Sequence, residues 1–248
     1  MIPKHIHYIW IQGYDEMPSD FKTAMKDCLQ HNVGYGHTVW DNNSISIMLK
    51  SFDYELYNFY NNPKISYAMK ADIARYIIIY LYGGIYVDCD YLCKKSINNL
   101  LGTEIDLFYI ISKTVTDANI FNGLFGAKQY HPSFKFVIKD MKYMLQSGNN
   151  NTADTTGTNM FYSAIQKYHK ENPNDDRYLI ISDIQLFPCN SWRNETECNE
   201  KYSGISFMTH TNNLSWNPML KAVKFCTTYY KIILLVILFI ILLILILL

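Results

Sequence analysis

The chain carries no excess charge of either sign: Lys plus Arg and Asp plus Glu both number 22 among its 248 residues. It also lacks a basic cluster interleaved with aromatics, so the electrostatic footprint of a nucleic-acid binder is missing and no nucleic-acid partner is expected. Its cysteines, at 28, 89, 93, 189, 198 and 226, form no C-x-x-C pair and no Cys/His spacing of a zinc site. Cys189 and Cys198 flank a polar loop and could bridge in an oxidising compartment. No secretory signal peptide is read at the start, because Met1–Trp10 has the pattern of a first strand. No internal repeat is visible. About 220 residues remain once a C-terminal apolar run is set aside, which suits one domain better than two.

What the chain does have is concentrated in residues 67–91. Met69, Ile73, Tyr76, Ile77, Tyr80 and Leu81 recur at helical spacing and make one apolar face. Asp72 and Arg75, three apart, emerge as neighbours on another side. Gly83 is placed to end this helix, since glycine takes the left-handed conformation without a side-chain clash. Ile85, Tyr86 and Val87 then make a short β-prone run into Asp88 and Asp90. Open α/β sheets bind ligands beyond the carboxyl ends of their strands, where this reading puts the acidic pair. Carboxylates are hard oxygen ligands suited to Mg²⁺ or Mn²⁺, and such ions keep positions open for phosphate oxygens. The plainer alternative is a surface ion pair at Asp72–Arg75 and an ordinary polar turn at Asp88–Asp90.

Ala71-Asp72, Arg75-Tyr76, Leu81, Gly83-Gly84-Ile85-Tyr86 and Asp88-x-Asp90, in that order, resemble glycosyltransferase family 32, sugar-transferring enzymes with a DXD motif. Ile2–Trp10 is similar to the family's opening strand. Trp40-Asp41, Asn122, His131-Pro132, His210 and Ser215-Trp216 are similar to further landmarks. In flavour the chain resembles fungal-type mannosyltransferases acting on inositol phosphorylceramide, and more distantly the glucosylating domains of large clostridial toxins. The resemblance implies an α/β, GT-A-like, Rossmann-type nucleotide-sugar-binding domain, Mn²⁺ or Mg²⁺, a GDP-mannose or UDP-hexose donor, and retention at the anomeric carbon. It implies a site in which Asp88 and Asp90 hold the metal and Asp72 and Arg75 hold donor-sugar hydroxyls. In that site Tyr86 and Asn122 line the donor, Trp10 stacks on the base, and Ser215 and Trp216 close over the diphosphate. The middle residue of the acidic motif, Cys89, departs from the small or aliphatic residue usual there.

Along the rest of the chain, strands are expected at residues 4–11, 38–41, 106–112, 122–127 and 179–187. Helices are expected near 19–31, 43–50 and 132–146, with another beginning near Thr158. Residues 147–159 are polar and helix-averse and read as a loop. Within it Thr156-Gly157-Thr158 matches a Thr-Gly-Pro common in the family except for the Pro; a helix start there is either a phosphate seat or a plain cap. His5 and His7 share a strand face and are read as structural.

Residues 232–248 contain no charged or polar side chain, and 17 such residues reach roughly 26 Å as a helix, near the lower limit for crossing a bilayer. The expected organisation is a glycosyltransferase domain over 1–220, a juxtamembrane linker over 221–231 and a transmembrane helix over 232–248. The anchor implies an endomembrane or viral membrane. Lys221, Lys224 and Lys231 before the run put the domain on the cytosolic side by the positive-inside rule. Fungal-type relatives act in the Golgi lumen, where the sequons at Asn42, Asn150, Asn194 and Asn213 would be usable. The expected activity is a membrane-anchored, metal-dependent retaining hexosyl transfer to a lipid, protein or glycan acceptor. A catalytically silent, membrane-tethered nucleotide-sugar-binding module is the alternative. A metal-dependent phosphohydrolase would want more carboxylates or histidines near the pair.

Overall fold

The computed structural model describes residues 1–101, 104–113, 118–149, 151–182 and 208–210. Ser215, Trp216, the Cys189–Cys198 pair, the sequons at Asn150, Asn194 and Asn213 and the apolar run 232–248 lie outside these residues.

The expected helix around Asp72 is α4 (Tyr67–Tyr82), begun by Ser66, whose hydroxyl accepts from the Met69 amide. It stops at Gly83, with φ 65, followed by Gly84 with φ 94, both in the left-handed region that favours glycine. A Cβ on Gly84 would lie 2.6 Å from the His5 carbonyl oxygen, so only glycine lets the next strand approach the first one this closely. That next strand, β3 (Gly84–Val87), runs parallel to β1 (His5–Ile9) and antiparallel to β6 (Ala118–Ala127). With β2 (Gly36–Trp40), β5 (Leu107–Lys113) and β7 (Tyr178–Ser182) they form a six-stranded mixed sheet in the order β2-β1-β3-β6-β5-β7. A second, two-stranded sheet pairs β4 (Tyr91–Cys93) with β8 (Met208–His210), Tyr91 opposite His210.

The central strands are buried on both faces, as strands covered on two sides must be. Tyr86, Leu107, Tyr109 and Phe125 face a core shared with α2 (Asn42–Phe52), α3 (Tyr54–Asn61), α4, α5 (Ser133–Gln146) and α7 (Thr158–Glu171). Their neighbours Ile85, Val87, Phe108 and Leu124 face α1 (Ser19–His31) and β4 instead. The alternation produces a sandwich of elements packed on both faces of the sheet, with β3 and β6 at its centre.

Differences from the expected elements have local causes. Residues 54–61 form a helix because the Asp53 carboxylate caps the Glu55 and Leu56 amides. The expected loop 147–159 contains a four-residue helix, α6 (Thr152–Thr155), capped by the Asn151 side chain on the Ala153 and Asp154 amides. β6 begins four residues earlier than expected, in step with the ladder that pairs Ala118 with Lys113. A disulfide joins Cys28 on α1 to Cys93 on β4, a pair that spacing along the chain does not suggest.

His7 has the structural role expected of it. Its Nε2 donates to the Gly83 carbonyl at 2.9 Å, and its Nδ1 accepts from Trp40 Nε1 at 3.1 Å. These two contacts fix the neutral Nε2–H tautomer and clip β1 to the glycine turn.

Candidate functional site

β1 and β3 point the same way, so their carboxyl ends share one edge of the sheet. At that edge Trp10 follows β1, and Asp88, Cys89 and Asp90 follow β3. The Asp88 amide donates to the Gly123 carbonyl at 2.8 Å, which seats the acidic turn on β6.

β6 is irregular at that point. Its register with β5 jumps from Tyr109–Phe125 to Ile110–Phe121, leaving Asn122, Gly123 and Leu124 without partners on β5. Such bulges re-aim side chains. Here the bulge brings Asn122 and Gly123 up to the residues of α4 and β3.

One network ties these parts together. Tyr86 Oη donates to Asp88 Oδ1 at 2.5 Å, and Arg75 Nη1 lies 3.3 Å from the same oxygen. Asp88 Oδ2 lies against Gly123, where a Cβ would come within 2.5 Å of it. Arg75 stacks over the Tyr86 ring at 4.6 Å from its centroid, donates to the Asn122 carbonyl at 2.6 Å and pairs with Asp72 at 3.4 Å. Asp72 Oδ1 accepts from Asn122 Nδ2 at 2.9 Å, and Asp72 Oδ2 accepts from Thr156 Oγ1 at 2.9 Å.

The ion pair is therefore not a surface one. The Asp72 and Arg75 side chains are only 6% and 8% exposed, against 30% for Asp88. Burial pushes the Asp72 carboxyl up to about 7, opposed by Arg75 and by the hydrogen bond from Thr156. Burial alone would lower the Arg75 guanidinium, but Asp88, Tyr86 and Asp72 outweigh it and hold that cation raised. Cys89 turns inward: its Sγ lies 3.5 Å from the Ile9 carbonyl oxygen, and burial beside Asp88 and Asp90 pushes its thiol up. It is an inert core group, and the departure at this motif position carries no chemistry.

The donor set fits a hard divalent cation. Mg²⁺-like ions are held by one or two carboxylates, with phosphate oxygens and water completing the shell. Asp88 keeps Oδ2 clear of Tyr86 and Arg75, and Asp90 is partly exposed two residues on. Among the described residues no group of three or more His, Cys, Asp or Glu gathers around a point; Asp88 and Asp90 are the residues that would hold such an ion.

Trp10 sits at the same edge, half-buried, its ring edge-on to Phe21 at 5.3 Å. Its buried Nε1 has no hydrogen-bond partner among the described residues. The structure thus gathers Asp72, Arg75, Tyr86, Asp88 and Asn122 into one network and places Trp10 and Asp90 on the same edge. Sequence reasoning missed Thr156 and Gly123 as members. The Thr156-Gly157-Thr158 match was the one pointer to the former, and nothing in the sequence pointed to the latter.

The buried titratable groups set a pH dependence. Burial holds His7 and His131 down at about 4. Between pH 6.5 and 4 the unfolded chain therefore binds more protons at both, and stability falls as pH falls through that window. Asp72 works the other way, because its folded form holds a proton up to about 7 and its burial penalty is relieved as pH falls. From pH 7 to 5 each histidine is expected to remove up to about 2 kcal/mol. Asp72→Asn should make the decline steeper, because the opposing contribution is gone; urea midpoints at the two pH values read this directly, and an unchanged slope would contradict it.

Comparison with known proteins accords with this geometry. Residues 18–106 match the family described as a glycosyltransferase sugar-binding region containing a DXD motif. The chain is 39% identical over 225 residues to an uncharacterized glycosyltransferase of Acanthamoeba polyphaga mimivirus, covering 90% of this chain and 87% of that protein. It is 25% identical over 222 residues to inositol phosphoceramide mannosyltransferase 2 of Schizosaccharomyces pombe, covering 88% of this chain but 59% of that longer protein. Among solved structures, the PaToxG glycosyltransferase superposes with a TM-score of 0.56 at 19% identity, over 71% of this chain and 72% of that one. That likeness gives the mixed α/β sandwich its type, a GT-A-like fold. No helix among the described residues is long and apolar enough to cross a membrane. With an acidic pair at a strand's carboxyl edge and a near-full-length viral relative, the chain belongs to the DXD-containing glycosyltransferase family, and it is a glycosyltransferase.

Proposed function

We propose that this glycosyltransferase moves a hexose, mannose before others, from a nucleoside-diphosphate sugar to a lipid or glycan acceptor, with retention and with Mn²⁺ or Mg²⁺. The observation that carries the reading is the Arg75–Tyr86–Asp88 junction, which orients one acidic side chain at the sheet edge while Asp90 follows it. A cation held by Asp88 and Asp90 would supply positive charge to the departing diphosphate.

The remaining roles belong to the chain's own residues. Asp72 accepts two hydrogen bonds from within the protein, and a carboxylate offers about four acceptor sites. It therefore keeps capacity for a sugar hydroxyl, next to Arg75 and Asn122. Tyr86 lines the donor beneath them. Trp10 stacks on the base, a placement supported by its position beyond β1. The family resemblance implies that Ser215 and Trp216 close over the diphosphate; both lie outside the described residues. The acceptor hydroxyl attacks from the face of the leaving group, and the departing phosphate oxygen takes its proton.

Mannose is favoured because the fission yeast relative is named a mannosyltransferase. The division into a catalytic domain over 1–220, a linker over 221–231 and a membrane anchor over 232–248 belongs to the same proposal, and it places a lipid acceptor within reach. The Cys28–Cys93 bridge supports an oxidising compartment, against the cytosolic side that the lysines before the apolar run favour.

Incubation of the full chain with GDP-mannose, UDP-glucose or UDP-galactose, Mn²⁺ and inositol phosphorylceramide in vesicles tests the reading. Nucleotide release coupled to sugar transfer, abolished by EDTA, is expected. Binding without release would instead make the chain a tethered sugar-nucleotide module.

A further inference from the structure

In the Thr156-Gly157-Thr158 segment the expected side-chain cap is missing. Gly157 stands at the N-cap of α7, where no side chain caps the helix. A Cβ on Gly157 would lie 2.9 Å from Ala153 Cα and 3.0 Å from the Thr152 carbonyl oxygen, so the glycine lets the chain fold back tightly on α6. That tight return leaves Thr156 completely buried, its hydroxyl 2.9 Å from Asp72 Oδ2 across 84 residues of sequence.

We propose that Thr156 is a positioning residue for sugar recognition, setting the plane of the Asp72 carboxylate from the side opposite Asn122. A carboxylate on a helix rotates about its last bond unless both oxygens are engaged. Asn122 Nδ2 holds Oδ1 and Thr156 Oγ1 holds Oδ2, each at 2.9 Å. Fixing Asp72 in turn fixes its 3.4 Å contact with Arg75. Among the described residues Thr156 is the one contributor to this line from beyond the sheet and α4, so it ties the α6–α7 turn to the site. The inference rests on the proposed contact of Asp72 with the donor sugar.

Because the line acts on the sugar end, its loss should separate sugar recognition from nucleotide recognition. Thr156→Val keeps the shape and removes the donor; Thr156→Ser restores it. By calorimetry with Mn²⁺ and the donor active in the assay above, Thr156→Val is expected to bind the nucleoside diphosphate as the native chain does. It should bind the intact nucleotide sugar about tenfold more weakly. Thr156→Ser should recover to within about threefold of native. Thr156→Ala carries the same expectation should valine not be accommodated. Equal affinity for the sugar nucleotide in Val and native chains, or equal loss for both ligands, would overturn the assignment. If the native chain binds none of the nucleotide sugars, the proposed function fails first, so the two failures are distinct.

Discussion

Asp90→Ala is expected to lower metal-dependent sugar transfer about 1,000-fold or more, the scale on which a cation stabilises a departing diphosphate. Asp90 is one of two carboxylates at the carboxyl edge of β3, and its partner Asp88 already has one oxygen shared between Tyr86 and Arg75. Removing Asp90 leaves Asp88 as the one carboxylate of the described pair, too little to hold a hard dication against water. The variant should still fold, since Asp90 lies partly exposed in the turn after β3. Mn²⁺ titration followed by electron paramagnetic resonance gives a readout apart from turnover. Native Mn²⁺ affinity with native activity in Asp90→Ala would remove the metal role from this residue.

The second large effect is on stability. Opening the Cys28–Cys93 bridge releases a loop of 65 residues in the unfolded chain, a constraint of about 4 kcal/mol in the chain-entropy treatment. For a domain of this size that corresponds to a fall in Tm of about 10 °C. The double variant Cys28→Ala, Cys93→Ala should show it, and native protein melted in excess reductant should show most of it. Both cysteines are buried against α1 and β4, so alanine keeps the interior apolar. Identical melting of native and double-variant protein would mean the bridge does not form. The bridge also bears on activity, because β4 begins with the residue after Asp90 and is held to α1 through Cys93.

How much of this was legible along the chain follows from the range of the forces involved. α4 and β3 could be read because periodicity and a glycine doublet are local, and the acidic pair could be read because it is contiguous. α3 and α6 escaped notice because side-chain caps from Asp53 and Asn151 created short helices in polar or aromatic stretches with weak periodicity. The Cys28–Cys93 pair was hidden because six cysteines allow 15 pairings. Asp72 and Arg75 were legible as neighbours, but their burial was not. It arises only when Asn122 and Thr156, 50 and 84 residues away, close over them. The apparent surface pair thus became an interior one through contacts made by distant segments.

Gly123 has a consequence of its own. The Asp88 Oδ2 atom occupies the room that a methyl group would need at that position, with Tyr91 Oη only 2.8 Å from the same point. The acidic turn is shaped as much by vacant volume as by the atoms around it. Even alanine, the smallest chiral residue, would compete with the carboxylate for one location, so any side chain at this bulge obliges Asp88 to move.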